Sequence, residues 1–283
     1  MSKVAVVTGT STGLGISIAI QLAKSGYNVF ATMRNLEKRA QLDAKAKEAG
    51  VDINVRQLDV VDTGSVDRCI EEILQQTGRI DLLVNNAGAG FVRTTEQATE
   101  EEIRWVMDVN FHGVVRCIKA VLPHMRENRA GHIINVSSVG GMVGQPFNEF
   151  YCAAKFALEG YVESVATYIT PHFGINFTNL EPGGIKTEFA NNVLAQFQQT
   201  GGMLDDEYRP ILEKYIGGAQ ERSADGSYQD ANEVANVLVE IALMEEPPIR
   251  SQTSDWSRKF VSLKTQGDPT GKLQQTQIAS QLL

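Results

Sequence analysis

Between residues 3 and 180, six short Val- and Ile-rich runs with little charge alternate with longer segments of helical period, an order that few architectures accommodate. The runs are 3–8, 28–33, 53–58, 81–85, 131–137 and 174–180. Strands without charge on either face need cover on both, which a half-solvated antiparallel sheet does not provide. The intervening segments 14–25, 36–49, 65–77, 99–127 and 151–171 supply that cover as helices, and Thr99 with Glu102 has the pattern of a capping box. Farther on, 232–244 returns to helical period with Val234, Leu238, Ile241 and Ala242 on one face, and 249–253 reads as a last strand. The expected fold is α/β: a single doubly wound parallel sheet of about seven strands with helices on both faces.

No Pro-, Gly- and Ser-rich stretch divides the chain and no internal repeat recurs, so residues 1–265 are expected to form one domain. Residues 189–230 break the rhythm. They are polar, Gln-rich around Gln196, Gln198 and Gln199, and interrupted at Gly201, Gly202, Gly217 and Gly218, as expected of a mobile cover over a site. Residues 266–283 are polar and are expected to be a poorly ordered tail.

The formal charge of -8 opposes nucleic acid or an anionic membrane as the main partner, since both call for a basic surface. No run of about 18 apolar residues is present, so no membrane-spanning helix is expected. The early apolar run Val4-Ala5-Val6-Val7 is too short for the core of a secretory signal. Cys69, Cys117 and Cys152 are odd in number and far apart, which fits buried residues in a reduced compartment, with the cytoplasm expected. His112, His124, His132 and His172 show no ligand spacing, and no metal is expected.

The first run leads through Thr8-Gly9-Thr10-Ser11-Thr12-Gly13-Leu14-Gly15 directly into a helical segment. A strand, a glycine turn and a helix N-terminus make a phosphate cradle, because unpaired amides and the helix dipole both favour an anion there. In a Rossmann-type sheet this first βα turn is where a dinucleotide sits.

The turn resembles the T-G-x-x-x-G-x-G signature of the short-chain dehydrogenases/reductases, and further elements follow in that family's order over most of the chain. Asn85-Asn86-Ala87-Gly88 is similar to its N-N-A-G element and Leu58-Asp59-Val60 to its adenine-contacting turn. Asn110 lies where the family has a helical Asn, and Ser138 with Tyr151 and Lys155 matches its Ser and Tyr-x-x-x-Lys. Pro182, Gly183, Ile185 and Thr187 resemble the turn that holds the nicotinamide amide. The resemblance implies a cofactor held by Thr8, Gly9, Ser11, Thr12, Gly13, Leu14, Gly15, Asp59, Val60, Asn86, Ala87, Gly88, Tyr151, Lys155 and the 182–187 turn. It further implies that Lys155 binds the nicotinamide ribose and that Asn110 holds a water in a proton relay.

Part of this chemistry is legible without the family. Tyr151 and Lys155 are four apart on a helix, hence on one face. A phenol titrating near 10 exchanges protons poorly at neutral pH, and a nearby cation favours its phenolate. Ser138, just beyond Ile133-Ile134-Asn135-Val136-Ser137, can donate to a substrate oxygen on which charge develops. At the end of the second run, Met33 stands where a cofactor without the 2′-phosphate calls for a carboxylate, and Arg34 follows it, so NADP(H) is the expected cofactor.

The stretches 136–148, 156–160 and 31–36 resemble in particular the 17β-hydroxysteroid dehydrogenase branch. That resemblance implies that Val143, Gln145, Phe147 and Asn148 border a pocket for a bulky apolar carbonyl or alcohol substrate, although Gln145 is polar where an aliphatic wall is expected. It also implies pairing into a homodimer or homotetramer through 99–127 and 151–171, with small residues Ala153, Ala157 and Gly160 on the second helix. Two competing readings are a 3-oxoacyl-thioester reductase and a non-catalytic NADP(H)-sensing protein. Asp205, Asp206 and Glu207 in the cover oppose the first, and the intact Ser138, Tyr151 and Lys155 oppose the second.

Overall fold

A computed structural model of the chain describes residues 2–224 and 226–276. β1 (Val4–Thr8) is buried along its whole length and ends in the glycine turn that opens α1 (Gly13–Lys24). β2 (Asn28–Met33), α2 (Ala40–Ala49), β3 (Asn54–Gln57), α3 (Thr63–Thr77) and β4 (Leu82–Asn85) complete the first half. The second half runs through α4 (Glu100–Met107), α5 (Gly113–Asn128), β5 (Gly131–Val136), α6 (Glu149–Phe173) and β6 (Ile175–Glu181). A two-strand ribbon, β7 (Ile185–Lys186) with β8 (Gln229–Asp230), brackets α7 (Glu188–Gln199) and α8 (Arg209–Ala224). The described chain closes with α9 (Ala231–Leu243), β9 (Arg250–Gln252) and α10 (Asp255–Thr265).

Seven strands form one sheet in the order β3-β2-β1-β4-β5-β6-β9, every pair parallel. The order reverses between β1 and β4, so a crevice opens at their carboxyl ends, where this topology places ligands. One face carries α3, α5 and α6, whose Ile73, Ile118, Val121, Leu158 and Val162 pack on Val6, Leu83, Ile133 and Phe177. The other carries α1, α2 and α9, whose Ile18, Leu22, Leu42, Leu238 and Ile241 pack on Val7, Val29, Val84 and Leu180. Apolar cover on both faces is the reason the central strands β1, β2 and β4 carry no charge.

Local signals mark the helix ends. The Asp62 side chain accepts from the Gly64 amide at the start of α3, and the Thr99–Glu102 pair forms the expected capping box on α4. A second capping box, Asp230 with Glu233, starts α9. Cys69, Cys117 and Cys152 are free and buried. Among the described residues, no helix is long and apolar enough to cross a membrane.

The helix expected over 99–127 is present as one continuous run from Glu100 to Asn128, in which a π turn, Asp108–His112, joins α4 to α5. Residues 189–230, expected to cover a site, contain most of α7 and all of α8, which share a small core of Phe147, Phe197 and Leu212, joined by Val92, Met203, Tyr215 and Ile216. The tail expected from 266 is held by hydrogen bonds as far as it is described. Arg250 donates to the Asp268 carbonyl at 2.8 Å, and Gln275 Nε2 donates to that of Ala166 at 2.7 Å. Residues 277–283 lie outside the described residues.

Candidate active site

The phosphate cradle is built at the carboxyl end of β1. The Thr8 hydroxyl accepts from the amides of Asn86 and Ala87, each at 3.0 Å, and Asn86 Nδ2 donates to the carbonyls of Thr8 and Gly9 at 2.9 and 3.0 Å. The Asn86-Ala87-Gly88 turn after β4 is thereby tied to the glycine turn after β1. Gly13 adopts a left-handed φ of 58°, and a Cβ on it would lie 3.1 Å from Thr187. A Cβ on Gly15 would fall inside contact with the Gly9 carbonyl and 2.6 Å from Asn86 Nδ2. Thr12, the N-cap of α1, makes no side-chain cap bond to the first-turn amides. Ser11 and Leu14 complete this turn, with Leu14 packed into the core beneath.

Other cofactor candidates gather on the same side. Asp59 Oδ1 accepts from the Val61 amide at 3.2 Å, and Arg116 donates to the Val60 carbonyl at 3.1 Å, so the adenine-side turn is braced from α5. Pro182 accepts from the Val139 amide at 3.0 Å, and Gly183 lies under the Trp256 ring, which a Cβ would approach to 2.9 Å. Ile185 lies in β7, and the Thr187 hydroxyl caps α7 by accepting from the Phe189 amide at 3.3 Å. Arg34, just beyond β2, is exposed and makes no ion pair among the described residues. Met33 is 2% exposed and packs in the core with α1 and α2, so the expectation that it marks the acid position is corrected: its side chain faces inward. An open helix N-terminus, glycines where a Cβ would intrude and an exposed unpaired guanidinium fit a dinucleotide phosphate.

Tyr151 and Lys155 share one face of α6, as their spacing predicted, and Ser138 borders Tyr151. Ser138 follows β5, while Tyr151 and Lys155 lie in the first two turns of α6. Ser138 Oγ and Tyr151 Cε1 lie 3.3 and 3.4 Å from the position a Cβ would take on Gly140, so the two side chains border one point. Lys155 Nζ lies 5.7 Å from the Tyr151 ring centre and donates to the Val136 carbonyl at 2.9 Å. The expected pull of Lys155 on the phenol is not what dominates here. Desolvation pushes Tyr151 up to about 12 against the neighbouring Ser138 hydroxyl, because the ammonium faces the strand rather than the phenol oxygen. Desolvation also lowers Lys155 to about 8, with the negative charge of Glu159 opposing it.

Asn110 is fully buried in the π turn. Its Oδ1 accepts from the Ala89 amide at 3.1 Å, and its Nδ2 donates to the carbonyls of Ala89 and Val106 at 2.8 and 2.9 Å. Its side chain therefore braces the loop after Gly88. Of the candidate substrate residues, Val143 and Gln145 are half-buried near Ser138. Phe147 holds a left-handed φ of 61° and is buried against Phe197 and Leu212. Asn148 is likewise engaged, donating to Tyr215 Oη at 2.7 Å and to the Pro146 carbonyl at 2.9 Å.

The sequence reading missed several residues that shape the site. Phe189 of α7 meets Tyr151 edge-on at 6.2 Å between ring centres. Arg93, 4% exposed, donates to the carbonyls of Thr200 and Gly202 and to the Thr200 hydroxyl, and stacks 4.9 Å from the Phe197 ring centre, so it clasps the end of α7. Glu159, one turn beyond Lys155, accepts from Ser137 Oγ and from Asn179 Nδ2 at 2.7 Å. Asn179 accepts from Asn135, and Asn135 from Asn85, in one ladder across β6, β5 and β4. The four-residue step from Lys155 to Glu159 was the available signal. Nothing in the sequence pointed to Arg93, whose side-chain hydrogen-bond partners Thr200 and Gly202 are more than 100 positions away, with Glu102 also 3.9 Å from its guanidinium.

The family model for short chain dehydrogenases matches residues 3–198, the span that supplies the cradle and Ser138, Tyr151 and Lys155. The chain belongs to the short-chain dehydrogenase family. This dehydrogenase is 39% identical over 277 residues to retinol dehydrogenase 8 of Bos taurus, covering 96% of this chain and 87% of that one. It is 32% identical over 274 residues to 17-beta-hydroxysteroid dehydrogenase type 1 of Homo sapiens, covering 95% and 82%. Among solved structures, the short-chain dehydrogenase is similar to actinorhodin polyketide ketoreductase with NADPH, at a TM-score of 0.73 and 28% identity, covering 85% of this chain and 90% of that one. As a member of this family the chain is an oxidoreductase with a hydroxysteroid-dehydrogenase-like sequence.

Proposed function

We propose that the chain is an NADP(H)-dependent oxidoreductase that interconverts a ketone or aldehyde and the corresponding alcohol on a bulky, largely apolar substrate. The observation that carries this reading is the approach of Ser138 and Tyr151 to one point, with Lys155 one helical turn on, beside the phosphate cradle. When bound, the nicotinamide supplies or accepts the hydride. The chain's own groups manage the oxygen and its proton. Ser138 donates to the substrate oxygen as charge grows on it, and Tyr151 passes a proton to that oxygen in reduction and takes it back in oxidation. Lys155, fixed by Val136, holds a positive charge beside the phenol, which favours the deprotonated form after transfer.

Arg34 supports the phosphorylated cofactor, as its exposed guanidinium suits a 2′-phosphate, and the ketoreductase neighbour is solved with NADPH. The relatives named for retinol and a 17-beta-hydroxysteroid support a bulky apolar substrate bearing a hydroxyl, and Phe189 lays an apolar surface against Tyr151. NADPH consumption followed by absorbance tests the reading against keto steroids, retinal-like aldehydes, aryl ketones and 3-oxoacyl thioesters, with Tyr151→Phe as control. Turnover that the control abolishes supports it. Tight NADPH binding with no turnover on any class would put the sensing role ahead.

A further inference from the structure

Gln145 carries an amide that no described residue engages, and it stands beside the reacting groups. The position a Cβ would take on Gly140 lies 3.3 Å from Ser138 Oγ, 3.4 Å from Gln145 Nε2 and 3.4 Å from Tyr151 Cε1. All three groups therefore border one small volume, and no two are separated by more than twice that distance. The backbone places the amide there for definite reasons. The Gln145 carbonyl accepts from the Asn148 amide at 3.2 Å, which closes the turn that starts α6, and Pro146 follows it. The side chain itself is half-buried and has no hydrogen-bond partner among the described residues.

Exposed to solvent, such an amide hydrogen-bonds to water. A substrate that displaces the water with carbon leaves a donor and an acceptor unpaired, whereas one that offers a polar atom restores the bonds. The nearby surface of Phe189, which packs on Tyr151, offers the amide no alternative partner. We infer that Gln145 selects carbonyl substrates bearing a second polar group, a hydroxyl or another carbonyl, one or two carbons from the carbon that receives the hydride. This rests on the oxidoreductase reading above and narrows it: the bulky body is apolar, but the neighbour of the reacting carbonyl is not. A primary amide serves both kinds of neighbour, donating from Nε2 to a carbonyl or accepting at Oε1 from a hydroxyl.

The test compares acetophenone with its α-hydroxy derivative, and propiophenone with its β-hydroxy derivative, on the full chain with NADPH. The wild type and Gln145→Leu are run in parallel, with Gln145→Met as a second apolar variant should the first fold poorly. The expected result is a crossed effect. The apolar variant loses roughly tenfold or more in kcat/KM on a hydroxylated ketone relative to its plain partner. Equal changes on both members of each pair would overturn the inference while leaving the oxidoreductase reading intact. If the wild type reduces no ketone, thermal shifts of the NADPH-saturated protein with the same pairs still decide. A preference for the hydroxylated ligand that Gln145→Leu removes supports the inference, and equal shifts in both proteins refute it.

Discussion

Lys155 Nζ donates to the Val136 carbonyl at 2.9 Å, so the ammonium is fastened to the strand that delivers Ser138 two residues later. Helix and strand therefore cannot drift apart without breaking a charge-assisted bond in a desolvated place. In the free chain Tyr151 is pushed up to about 12, and Lys155 is lowered to about 8. Tyr151 accordingly stays protonated over the usual range, and Lys155 is the group that loses its charge. Reduction, followed as kcat/KM, should be level below pH 8 and fall above it. Lys155→Arg, charged at any accessible pH, should remove that fall, and Lys155→Met should lower kcat/KM roughly a hundredfold or more. A fall that persists unchanged in Lys155→Arg would assign it to another group.

Gly15 has no room for a side chain between the Gly9 carbonyl and Asn86 Nδ2. Gly15→Ala must displace the turn that joins β1 to the loop after β4. The expected cost is about 1–3 kcal/mol of stability, together with loss of NADPH affinity. Thermal melting and fluorescence titration with NADPH check the two effects.

Arg34 is exposed and unpaired among the described residues, so its removal leaves no partner stranded. Arg34→Ala should weaken NADPH roughly ten- to hundredfold and leave NADH nearly unchanged. The ratio of kcat/KM for the two cofactors reads this directly. Because Met33 is buried, Met33→Asp is a poor way to recruit NADH and should mainly destabilise the chain.

Glu159 and Glu181 are both buried on the α6 side of the sheet, and burial raises them to about 7 and about 8. Gln252 donates to one oxygen of Glu181 at 2.7 Å, while Oε1 has no partner among the described residues. Arg250, the nearby cation, is engaged by Glu163 at 2.7 Å and by the Asp268 carbonyl. A carboxyl raised on folding binds its proton more tightly in the folded chain. Its contribution is therefore most favourable below the ordinary carboxylate pKa and is lost as pH rises toward 7 and 8. Glu181→Gln should flatten the decline of melting temperature between about pH 5 and 8, gaining on the wild type at the upper end. Parallel wild-type and variant curves would refute this.

Arg93 holds the end of α7 through the carbonyls of Thr200 and Gly202 and the Phe197 ring. Arg93→Met keeps the length and loses the donors. It should speed limited proteolysis at Gly201–Gly202 and raise KM, with a smaller effect on global melting, because the cover has its own core in Phe147, Phe197 and Leu212. Unchanged cleavage would show that the clasp does not hold the cover.

The sequence by itself determined the layered α/β architecture, because Val- and Ile-rich runs such as Val4–Thr8 have only one way to be covered on both faces. It also determined the meeting of Tyr151 with Lys155, fixed by helical spacing, and the glycine turn, fixed by its place between a strand and a helix. Only the tertiary structure decided what lies far apart in the chain. It spent the Asn110 amide on Ala89, turned Met33 inward, stood Phe147 under the cover and set Arg93 against the end of α7. It also put the Gln145 amide beside Ser138 and Tyr151. The physical reason is the same in each case. Periodicity reports which face of an element is apolar, whereas the partner of a buried polar group is set by packing between elements that no local pattern encodes.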